Sequence, residues 1–528
     1  MAGFFNGPPK ARQGENMAET LRIVAYDTTL RDGAQDPRAR LSVAKKLAIA
    51  RRLDKWGMPY IEGGWPGANE IDTKFFQEAK GLLQHSQLVA FGMTARIGVK
   101  PENDAGLNIL LKSKTKVVTI VGKTWLQNVK RALRTEGLLN LETIQKSIEF
   151  LTKEGREVFF DAEHWFDGFS QNPQYAMEAL EASKAGGATV LALCDTRGSC
   201  TPEFIYQAIK KVRKRFPDMQ LGIHAHNDSG LAVINSVWAV KAGALQVQGT
   251  INGAGERTGN VDLCVVLPTA EFKYGLKTGL DMQQVTDVAH FVARQNKIPV
   301  PANNPYTGIN AFRHKAGLHA SGQQRDAEAY QHVDPTLVGN TTSFVQSEQG
   351  GSTNVEIMAT KHGFELSRNN PAFTKLVQEM KRLKVLGDAQ EFLLLHEFLS
   401  SGVEPFDVLD GSRVTDTRGL TPEAYVRVRV NEDMHEKKAT GDGPINAFDL
   451  ALKKALLQKY PQINNIEIDD YTVTLPQGES GSAAEVEVYV RLKASGDTWT
   501  SIVRGTDQQR TGEDALIQGY KYHLLKQI

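Results

Sequence analysis

Short apolar runs recur along the first half of the chain, with helical segments between them. There are eight such runs: Ile23–Tyr26, Tyr60–Gly63, Leu88–Phe91, Val117–Val121, Val158–Asp161, Val190–Cys194, Leu221–His224 and Gln246–Thr250. Each ends in polar or glycine-rich sequence, which is typical of a buried strand. Between them, segments such as 41–57 place apolar residues on one side of a helix and basic residues on the other.

This alternation predicts the fold class. Eight buried strands alternating with helices over about 230 residues match a closed parallel (β/α)8 barrel, of the TIM type, better than an open sheet. Four helix ends agree, because each carries a lysine in its last turn and then a glycine expected in the left-handed conformation. These glycines are Gly57, Gly155, Gly186 and Gly243. In such a barrel, catalytic residues gather at the carboxyl ends of the strands.

The second half of the chain has a different pattern. Residues 275–304 are expected to be helical, and a mixed segment follows to about residue 401. From about Thr421, alternating strands and amphipathic helices indicate a separate α+β module. Its expected elements are strands at 425–430, 485–492 and 498–503 and helices at 444–460 and 513–526.

Composition excludes several classes of protein. The chain has 528 residues, with 62 Lys and Arg against 61 Asp and Glu, which argues against a nucleic-acid partner bound by bulk charge. Without an apolar run of roughly 20 residues, we expect no membrane association. Three cysteines without a CxxC pair fit a reducing compartment. Residues 1–20 lack the apolar core of a signal peptide, so a disordered tail and a cytoplasmic location are expected, with a mitochondrial one left open.

The richest candidate site combines an aspartate after the first run with two histidines at the end of the seventh. His224 and His226 lie two residues apart, so in a strand they face the same side and can bind one ion together. Asp32 adds a carboxylate oxygen, and Asn260 offers a further amide oxygen. This mixture suits a divalent transition metal. The alternative is that the two histidines are hydrogen-bonded polar residues without a metal.

Arg31 stands next to Asp32 as a fixed positive charge, which suits an anionic oxygen substrate. The competing interpretation is a surface charge paired with Asp27 or Asp32. Arg31 lies between the first strand and the presumed metal ligand Asp32, and this position favours the catalytic interpretation.

Glu163 and Thr196 follow the fifth and sixth strands and are further candidates. Each has a structural alternative, because a carboxylate or hydroxyl after a strand often caps the next helix. Cys194 could be a nucleophile, but its apolar strand favours core packing. Asp161 could be structural or could orient Arg31, and the sequence does not separate these roles.

Several motifs together resemble one enzyme family. They are DTTLRDGAQ (27–35), YIEGGWPG (60–67), FDAEH (160–164), HAHND (224–228), SGLAV (229–233), NGAGERTGN (252–260) and ATGDGPINA (439–447). From about Leu21 onward the chain resembles the metal-dependent Claisen-type synthases, which include isopropylmalate, homocitrate and citramalate synthases, and it is most similar to the citramalate synthase branch.

The resemblance implies an arrangement of domains. Residues 1–20 would form the tail, 21–300 a TIM-barrel catalytic domain, 301–410 a linking subdomain, and 411–528 a C-terminal α+β domain for allosteric regulation and dimerisation. The family is usually a homodimer in which the linking subdomain reaches the partner's barrel. An amino-acid effector is a further implied partner.

The resemblance also implies roles for individual residues. Asp32, His224, His226 and Asn260 would bind Mn2+, Mg2+ or Zn2+. Arg31 would sit at the substrate carbonyl, and Thr196 would contact the 2-oxo acid. Glu163, together with His319 and Tyr330 from the partner subunit, would activate acetyl-CoA, the co-substrate.

The expected reaction is an acetyl-CoA-dependent Claisen condensation, most simply of pyruvate, giving (R)-citramalate and CoA in isoleucine biosynthesis. The alternatives are another 2-alkylmalate synthase, such as an isopropylmalate or homocitrate synthase, and a lyase that runs the carbon–carbon step in reverse. A catalytically silent amino-acid sensor belongs to a different class, and the intact set of metal ligands speaks against it.

Overall fold

A computed structural model describes residues 22–314, 331–344, 352–383, 386–400, 404–409, 413–415, 421–476, 481 and 484–527. The predicted tail at 1–20 and the candidate residues His319 and Tyr330 lie outside this part of the chain. The described residues form two compact units, one of 22–312 with 331–342 and one drawn from the rest of the chain after residue 312. The predicted boundaries at residues 300 and 410 stay a prediction.

The first unit is a closed parallel barrel of eight strands, which confirms the predicted fold class. The strands are β1 (Val24–Asp27), β2 (Tyr60–Gly64), β3 (Gln87–Met93), β4 (Val117–Lys123), β5 (Glu157–Glu163), β6 (Val190–Asp195), β7 (Gln220–Ala225) and β8 (Gln246–Gly249). They pair in chain order, and β8 closes the ring by pairing with β1, Val24 opposite Gln246.

Helices follow the strands around the ring. They are Val43–Trp56, Glu70–Glu78, Ala105–Lys112, Leu126–Asn128, Gly137–Lys153, Trp165–Gln171, Pro173–Ala185, Pro202–Arg215, Ala232–Ala242, Leu263–Tyr274 and Val285–Asn296. Short 3-10 turns lie at Gly33–Gln35, Pro101–Asn103, Ile251–Gly253, Met282–Gln284 and Pro335–Val338, and one π-turn lies at Val129–Leu133. Among the described helices, none combines the length and the apolar character needed to cross a bilayer.

The predicted helix ends are correct at three of the four glycines. Gly57, Gly155 and Gly243 have φ values of 91°, 77° and 115°. The prediction for Gly186 was wrong, because this residue is still helical at φ −71° and Gly187 takes the left-handed position. Two adjacent glycines can each end a helix, and the sequence does not distinguish them.

The helix expected over 275–304 is also shorter than predicted. A left-handed Gly275 ends the preceding helix, and an aspartate-capped 3-10 turn leads into Val285–Asn296. Apolar periodicity alone does not show that these turns interrupt the helical spacing.

The barrel interior is layered. One layer is an apolar cluster formed by Tyr26, Val89, Val117, Phe159 and Val190. Side chains two residues apart on a strand face the same side, so the positions that follow this cluster on the same inward faces are available for a polar layer. Asp161 follows Phe159 in this way, and the candidate site is built on that layer.

The second unit has mixed architecture. Its helices are Ser352–Lys361, Pro371–Leu383, Asp388–Leu399, Pro444–Leu456 and Gln508–Lys526, with a 3-10 turn at Pro461–Asn465. Its longer strands are Glu423–Val430, Asp433–Thr440, Glu467–Thr474, Val486–Ala494 and Asp497–Gly505; shorter ones are Arg313–His314, Ser343–Phe344, Asp407–Val408 and Arg413–Thr415. The last three long strands form an antiparallel sheet, and the strands at 433–440 and 467–474 were not predicted.

Candidate active site at the carboxyl ends of the barrel strands

A cavity of about 330 Å³ opens at the carboxyl ends of the strands. Its lining includes seven of the predicted residues and positions: Arg31, Asp32, Asp161, Glu163, Thr196, His224 and His226. Residues that are up to 195 positions apart in the sequence therefore face one space, as expected for a parallel barrel.

Asp32, His224 and His226 form a buried cluster with the composition of a metal site. One ligand atom from each residue lies within 4.8 Å of the others. Asp32 Oδ2 is 3.1 Å from His224 Nε2. The three residues are 2–8 % exposed. Nitrogen and oxygen donors this close together, and shielded from water, suit a divalent cation.

Asn260 joins this cluster through the backbone. It forms an isolated bridge with His226, and its Nδ2 donates to the carbonyl oxygen of Ala254 at 3.1 Å. Asn260 Oδ1 and His226 Nδ1 are buried and have no hydrogen-bond partner among the described residues. Buried polar atoms are nearly always paired, so these two atoms fit a site that an ion completes.

The loop after β1 is shaped by a local hydrogen-bond network. The Asp27 carboxylate accepts from the backbone nitrogen of Thr29 at 3.1 Å and from its hydroxyl at 2.7 Å. The Thr29 hydroxyl in turn accepts from the backbone nitrogen of Ile251 at 2.8 Å, which ties the loop to the end of β8. Arg31 and Asp32 follow directly, so this network fixes the segment that carries them.

Arg31 is held by two carboxylates. Its Nε and Nη2 lie 3.0 Å from Glu62 Oε2, and its Nη1 lies 3.2 Å from Asp32 Oδ2. The guanidinium also stacks over the ring of Phe91, 3.9 Å from its centre. Its side chain is only 13 % exposed, so the interpretation of Arg31 as a surface charge was wrong, although its pairing with Asp32 was correct.

The charges of these groups depend on one another. Burial raises the pKa of Glu62 to about 7, while Arg31 opposes that shift. Burial would also raise the pKa of Asp32, but Arg31 and the hydrogen bond from His224 hold this pKa well below its usual range. Burial lowers the pKa of His226 to about 4, which favours the neutral imidazole that binds metals. Arg31, Asp32, Glu62 and His224 form the floor of the site.

Asp161 does not hydrogen-bond Arg31. Its Oδ1 accepts from Gln248 Nε2 at 3.0 Å, and Gln248 Oε1 lies 3.0 Å from His224 Nδ1. Of the two roles left open by the sequence, this contact with β8 favours a structural role for Asp161 over direct orientation of Arg31.

Less buried residues, Lys123, Glu163, Thr196 and Arg257, form the rim of the site. Glu163 Oε2 accepts from Lys123 Nζ at 2.5 Å, and both side chains are about one quarter exposed. The next helix begins after His164 without a side-chain cap. The capping alternative for Glu163 was wrong, because its carboxylate pairs with Lys123 and lines the cavity instead.

Thr196 links two strand ends. Its hydroxyl accepts from the backbone nitrogen of His164 at 2.8 Å, and the next helix is capped by Thr201 instead. The capping alternative for Thr196 was therefore wrong as well. Its carbonyl oxygen accepts from Arg257 Nη2 at 2.9 Å, and the same guanidinium contacts Asp228 at 2.7 and 3.0 Å. Arg257 thus connects the loops after β6, β7 and β8.

Cys194 lines the cavity but is poorly suited to be a nucleophile. Burial raises the pKa of its thiol well above the usual value. Because the thiolate is the reactive form, core packing is the better interpretation.

Four residues that contact the site were not assigned a role by the sequence. Glu62 and Arg257 lie inside conspicuous motifs, so charged residues within those motifs could have been singled out. Lys123 and Gln248 occur in ordinary strand sequence. Lys123 pairs with Glu163 in the register of β4 and β5, a relation that only the strand alignment reveals.

Three family models match parts of the chain. Residues 22–292 match the HMGL-like family model, residues 306–389 match the homocitrate synthase post-HMGL domain-like model, and residues 387–524 match the LeuA allosteric (dimerisation) domain. The HMG-CoA lyase structure from Bacillus subtilis superposes with a TM-score of 0.47 at 18% identity, covering 54% of this chain and 97% of that one. At that level nothing about activity follows.

Relatives of similar length match from end to end. The (R)-citramalate synthase of Aquifex aeolicus is 40% identical, covering 97% of this chain and 99% of its own length. The (R)-citramalate synthase of Synechocystis is 39% identical, with coverage of 94% and 95%. The 2-isopropylmalate synthase of Methanocaldococcus jannaschii is 28% identical, with coverage of 97% and 96%. The chain therefore belongs to the HMGL-like family, together with the (R)-citramalate synthases that match it over nearly its whole length.

Proposed function

We propose that this protein is an acyltransferase that condenses acetyl-CoA with pyruvate and water to give (R)-citramalate and CoA. The observation that carries the proposal is the buried Asp32, His224 and His226 cluster beside Arg31, in a chain 36–40% identical to five (R)-citramalate synthases. An isopropylmalate or homocitrate synthase is the second candidate, favoured by the match of 28% to a 2-isopropylmalate synthase.

The floor of the site suits a 2-oxo acid. A divalent cation held by Asp32, His224, His226 and Asn260 would polarise the substrate carbonyl as a Lewis acid. Arg31 is fixed by Glu62 and Asp32, so its guanidinium is already oriented when negative charge develops on the carbonyl oxygen. Donors placed in advance in a shielded site stabilise such charge strongly. Thr196, on the rim, is proposed to contact the acid's carboxylate.

Acetyl-CoA must lose a proton before the carbon–carbon bond forms, and this step needs a base. Glu163 is proposed to accept a proton from the acetyl methyl group, with His319 and Tyr330 of a second subunit completing the site. The new carbon–carbon bond joins this methyl carbon to the keto carbon, and the keto oxygen, now an alkoxide, takes up a proton to become a hydroxyl. Water then adds to the thioester carbonyl, and CoA leaves as its thiol. Lys123 holds the Glu163 carboxylate at the cavity edge, where such a proton can be reached.

Further parts of the proposal concern partners. The match of residues 387–524 to a dimerisation domain supports a homodimer, with an amino-acid effector bound by the C-terminal domain. Mn2+, Mg2+ and Zn2+ each fit the mixture of imidazole and oxygen donors. A cytoplasmic location is proposed in keeping with the reducing conditions that three unpaired cysteines suit.

Release of thiol tests the function directly. The purified full-length chain is mixed with acetyl-CoA, Mn2+ or Mg2+, and one oxo acid from a panel of pyruvate, 2-oxobutyrate, 3-methyl-2-oxobutanoate and 2-oxoglutarate. Pyruvate should give the highest kcat/KM, and the product should be citramalate by mass. Preference for 3-methyl-2-oxobutanoate or 2-oxoglutarate would select the second candidate. Without thiol release from any acid, the enzyme proposal fails.

The sensor and lyase alternatives need their own measurements. Calorimetry with leucine and isoleucine, run beside turnover, identifies a sensor as a chain that binds an amino acid but shows no turnover. Incubation of citramalyl-CoA with the metal-loaded chain identifies a lyase by release of pyruvate at a rate above that of condensation.

A further inference from the structure

A hydrogen-bonded network of buried side chains lies behind His224. Gln248 Oε1 is 3.0 Å from His224 Nδ1, and Gln248 Nε2 donates to Asp161 Oδ1 at 3.0 Å and to Gln246 Oε1 at 3.1 Å. Both glutamines are fully buried, and Asp161 is 3 % exposed. Because each side chain in this network is held by its neighbour and shielded from water, the network fixes the orientation of all of them.

The barrel makes room for this network. Gly222 of β7 lies opposite Gln246 of β8 in the parallel register. A Cβ at position 222 would lie 3.1 Å from Gln246 Oε1 and 3.2 Å from the Ala192 side chain. A larger residue would therefore displace the Gln246 amide, which supports Gln248 from behind.

The direction of each hydrogen bond in the network follows from the position of the acceptor oxygens. Two oxygen atoms, on Asp161 and Gln246, face the amide nitrogen of Gln248, so this amide cannot turn over without placing oxygen against oxygen. Its own oxygen therefore faces His224 Nδ1, which must carry the ring proton. Nε2, the atom 3.1 Å from Asp32 Oδ2, is then the ring nitrogen whose lone pair can bind a cation, once that cation replaces the proton between these two atoms.

We propose that Gln248 is a positioning residue for the metal site. Its amide, anchored by Asp161 and Gln246, holds the His224 ring in one orientation and one tautomer, with Nε2 directed at the cation. Partners of this kind raise the affinity of metal-binding histidines by about 10- to 100-fold. This inference rests on the metal site of the proposed function.

The binding of Mn2+ to the full-length chain, without substrates, tests the proposal. Free Mn2+ is followed by electron paramagnetic resonance during titration. Gln248→Met keeps the volume of the side chain but removes the acceptor, so the dissociation constant should rise about 10- to 100-fold. Thr119→Val is the matched control. It removes another buried hydrogen bond inside the barrel, between Thr119 Oγ1 and Tyr26 Oη at 2.7 Å, and leaves the contacts of His224 in place. Its dissociation constant should stay within about threefold of the wild type.

A swap variant tests the direction of these hydrogen bonds. Gln248→Glu combined with Asp161→Asn exchanges the amide and the carboxylate but keeps an oxygen acceptor for His224 Nδ1. Gln246 Nε2 has no hydrogen-bond partner among the described residues, so it can turn to donate to the new carboxylate. Mn2+ affinity should therefore return to within about threefold of the wild type, whereas Gln248→Met stays weak.

The outcomes separate this inference from the function on which it rests. Equal affinity of Gln248→Met and the wild type overturns the positioning role alone, as does an equal loss in Thr119→Val, which would point to general loosening of the core. Circular dichroism identifies a misfolded Gln248→Met, and the swap variant then decides: weak binding in the folded swap variant overturns the proposal. A wild-type chain that does not bind Mn2+ overturns the metal site and the proposed function together.

Discussion

The floor and the rim of the cavity are built differently. On the floor, Arg31, Asp32 and Glu62 are 13 %, 3 % and 0 % exposed in their side chains, and Arg31 and Asp32 each have two charged or hydrogen-bonding partners. On the rim, the Lys123–Glu163 pair is about one quarter exposed, and the Arg257 side chain is 44 % exposed. The same residue types thus serve in a shielded network and in open pairs.

This difference has energetic consequences. Removing one partner from a buried ion pair leaves an uncompensated charge and costs about 3–5 kcal/mol, whereas an exposed pair contributes about 0–1 kcal/mol. The floor is therefore rigid and intolerant of change, and the rim can vary without loss of the fold. We expect the floor to set the type of chemistry and the rim to adjust substrate binding.

The largest effect is expected at the metal cluster. Asp32→Asn replaces a charged ligand by a neutral one, and loss of Lewis-acid stabilisation of several kcal/mol lowers kcat/KM by on the order of 10³-fold. Thiol release measures the change. Chelation of the wild type should cause the same loss and added Mn2+ should reverse it, but Mn2+ should not restore the variant. Near-normal turnover of Asp32→Asn would contradict the assignment of this ligand.

Arg31→Lys should have the next largest effect. A lysine cannot bind Glu62 and Asp32 together as the planar guanidinium does, so stabilisation of charge at the carbonyl should weaken and kcat should fall about 10²- to 10³-fold. Steady-state kinetics with pyruvate check this, and the KM for acetyl-CoA should change little.

Arg52→Lys is the matched control for this change. Arg52 has the same 13 % side-chain exposure as Arg31 and pairs with Asp287, but it lies between outer helices. Its replacement should leave kcat unaltered. If both variants lose activity equally, Arg31 acts through stability and not through the substrate.

A smaller effect is expected from the rim. Arg257→Lys keeps the charge but cannot contact both Asp228 and the Thr196 carbonyl, so the KM for the oxo acid should rise about three- to fivefold while kcat is kept. Arg215→Lys, in the exposed pair with Glu181, is the control and should change neither value. A loss in kcat comparable to that of Arg31→Lys would remove the distinction between floor and rim.

Outside catalysis, an effect on stability is expected beneath the floor. Burial raises the pKa of Asp27 to about 7, against the hydrogen bonds from Thr29 that lower it. Between about pH 4 and pH 7 the folded chain then keeps a proton that the unfolded chain, with an aspartate pKa of 3.8, has lost. By linkage, the free energy of unfolding falls as pH rises through this window.

Asp27→Asn should remove this dependence. The stability of the variant relative to the wild type should rise from pH 5 to pH 7 by on the order of 1 kcal/mol per pH unit. Urea unfolding in the presence of a chelator measures this difference and avoids changes in metal binding. A difference that does not vary with pH would show that Asp27 is charged throughout this range.

Much of the fold can be predicted from the local sequence pattern. Strand periodicity located all eight barrel strands to within a few residues, because buried parallel strands are short apolar runs with clear ends. Two of the longer strands were not predicted: 433–440 is largely exposed and 467–474 is exposed or half-buried throughout, so they lack the apolar pattern on which the prediction depended. Tertiary pairing, not local pattern, makes them strands.

The site shows the same division. Asp32, His224, His226 and Asn260 were predicted as ligands because their positions relative to strand ends are visible in the sequence. Glu62 and Gln248 were not assigned roles, because their importance comes from neighbours on other strands. The barrel register brings Gln248 beside His224, and no local property of the sequence around Gln248 indicates that contact.

The order of the strands around the barrel has a consequence for assembly. Asp32 follows β1, whereas His224, His226 and Asn260 belong to β7, β8 and the loops beside them, and the β1–β8 pairing joins these two ends of the barrel sequence. A nascent chain thus cannot gather the cluster until the last strand docks against the first. A cation bound there would link β1 to the last strands of the barrel, so metal binding would require a closed barrel.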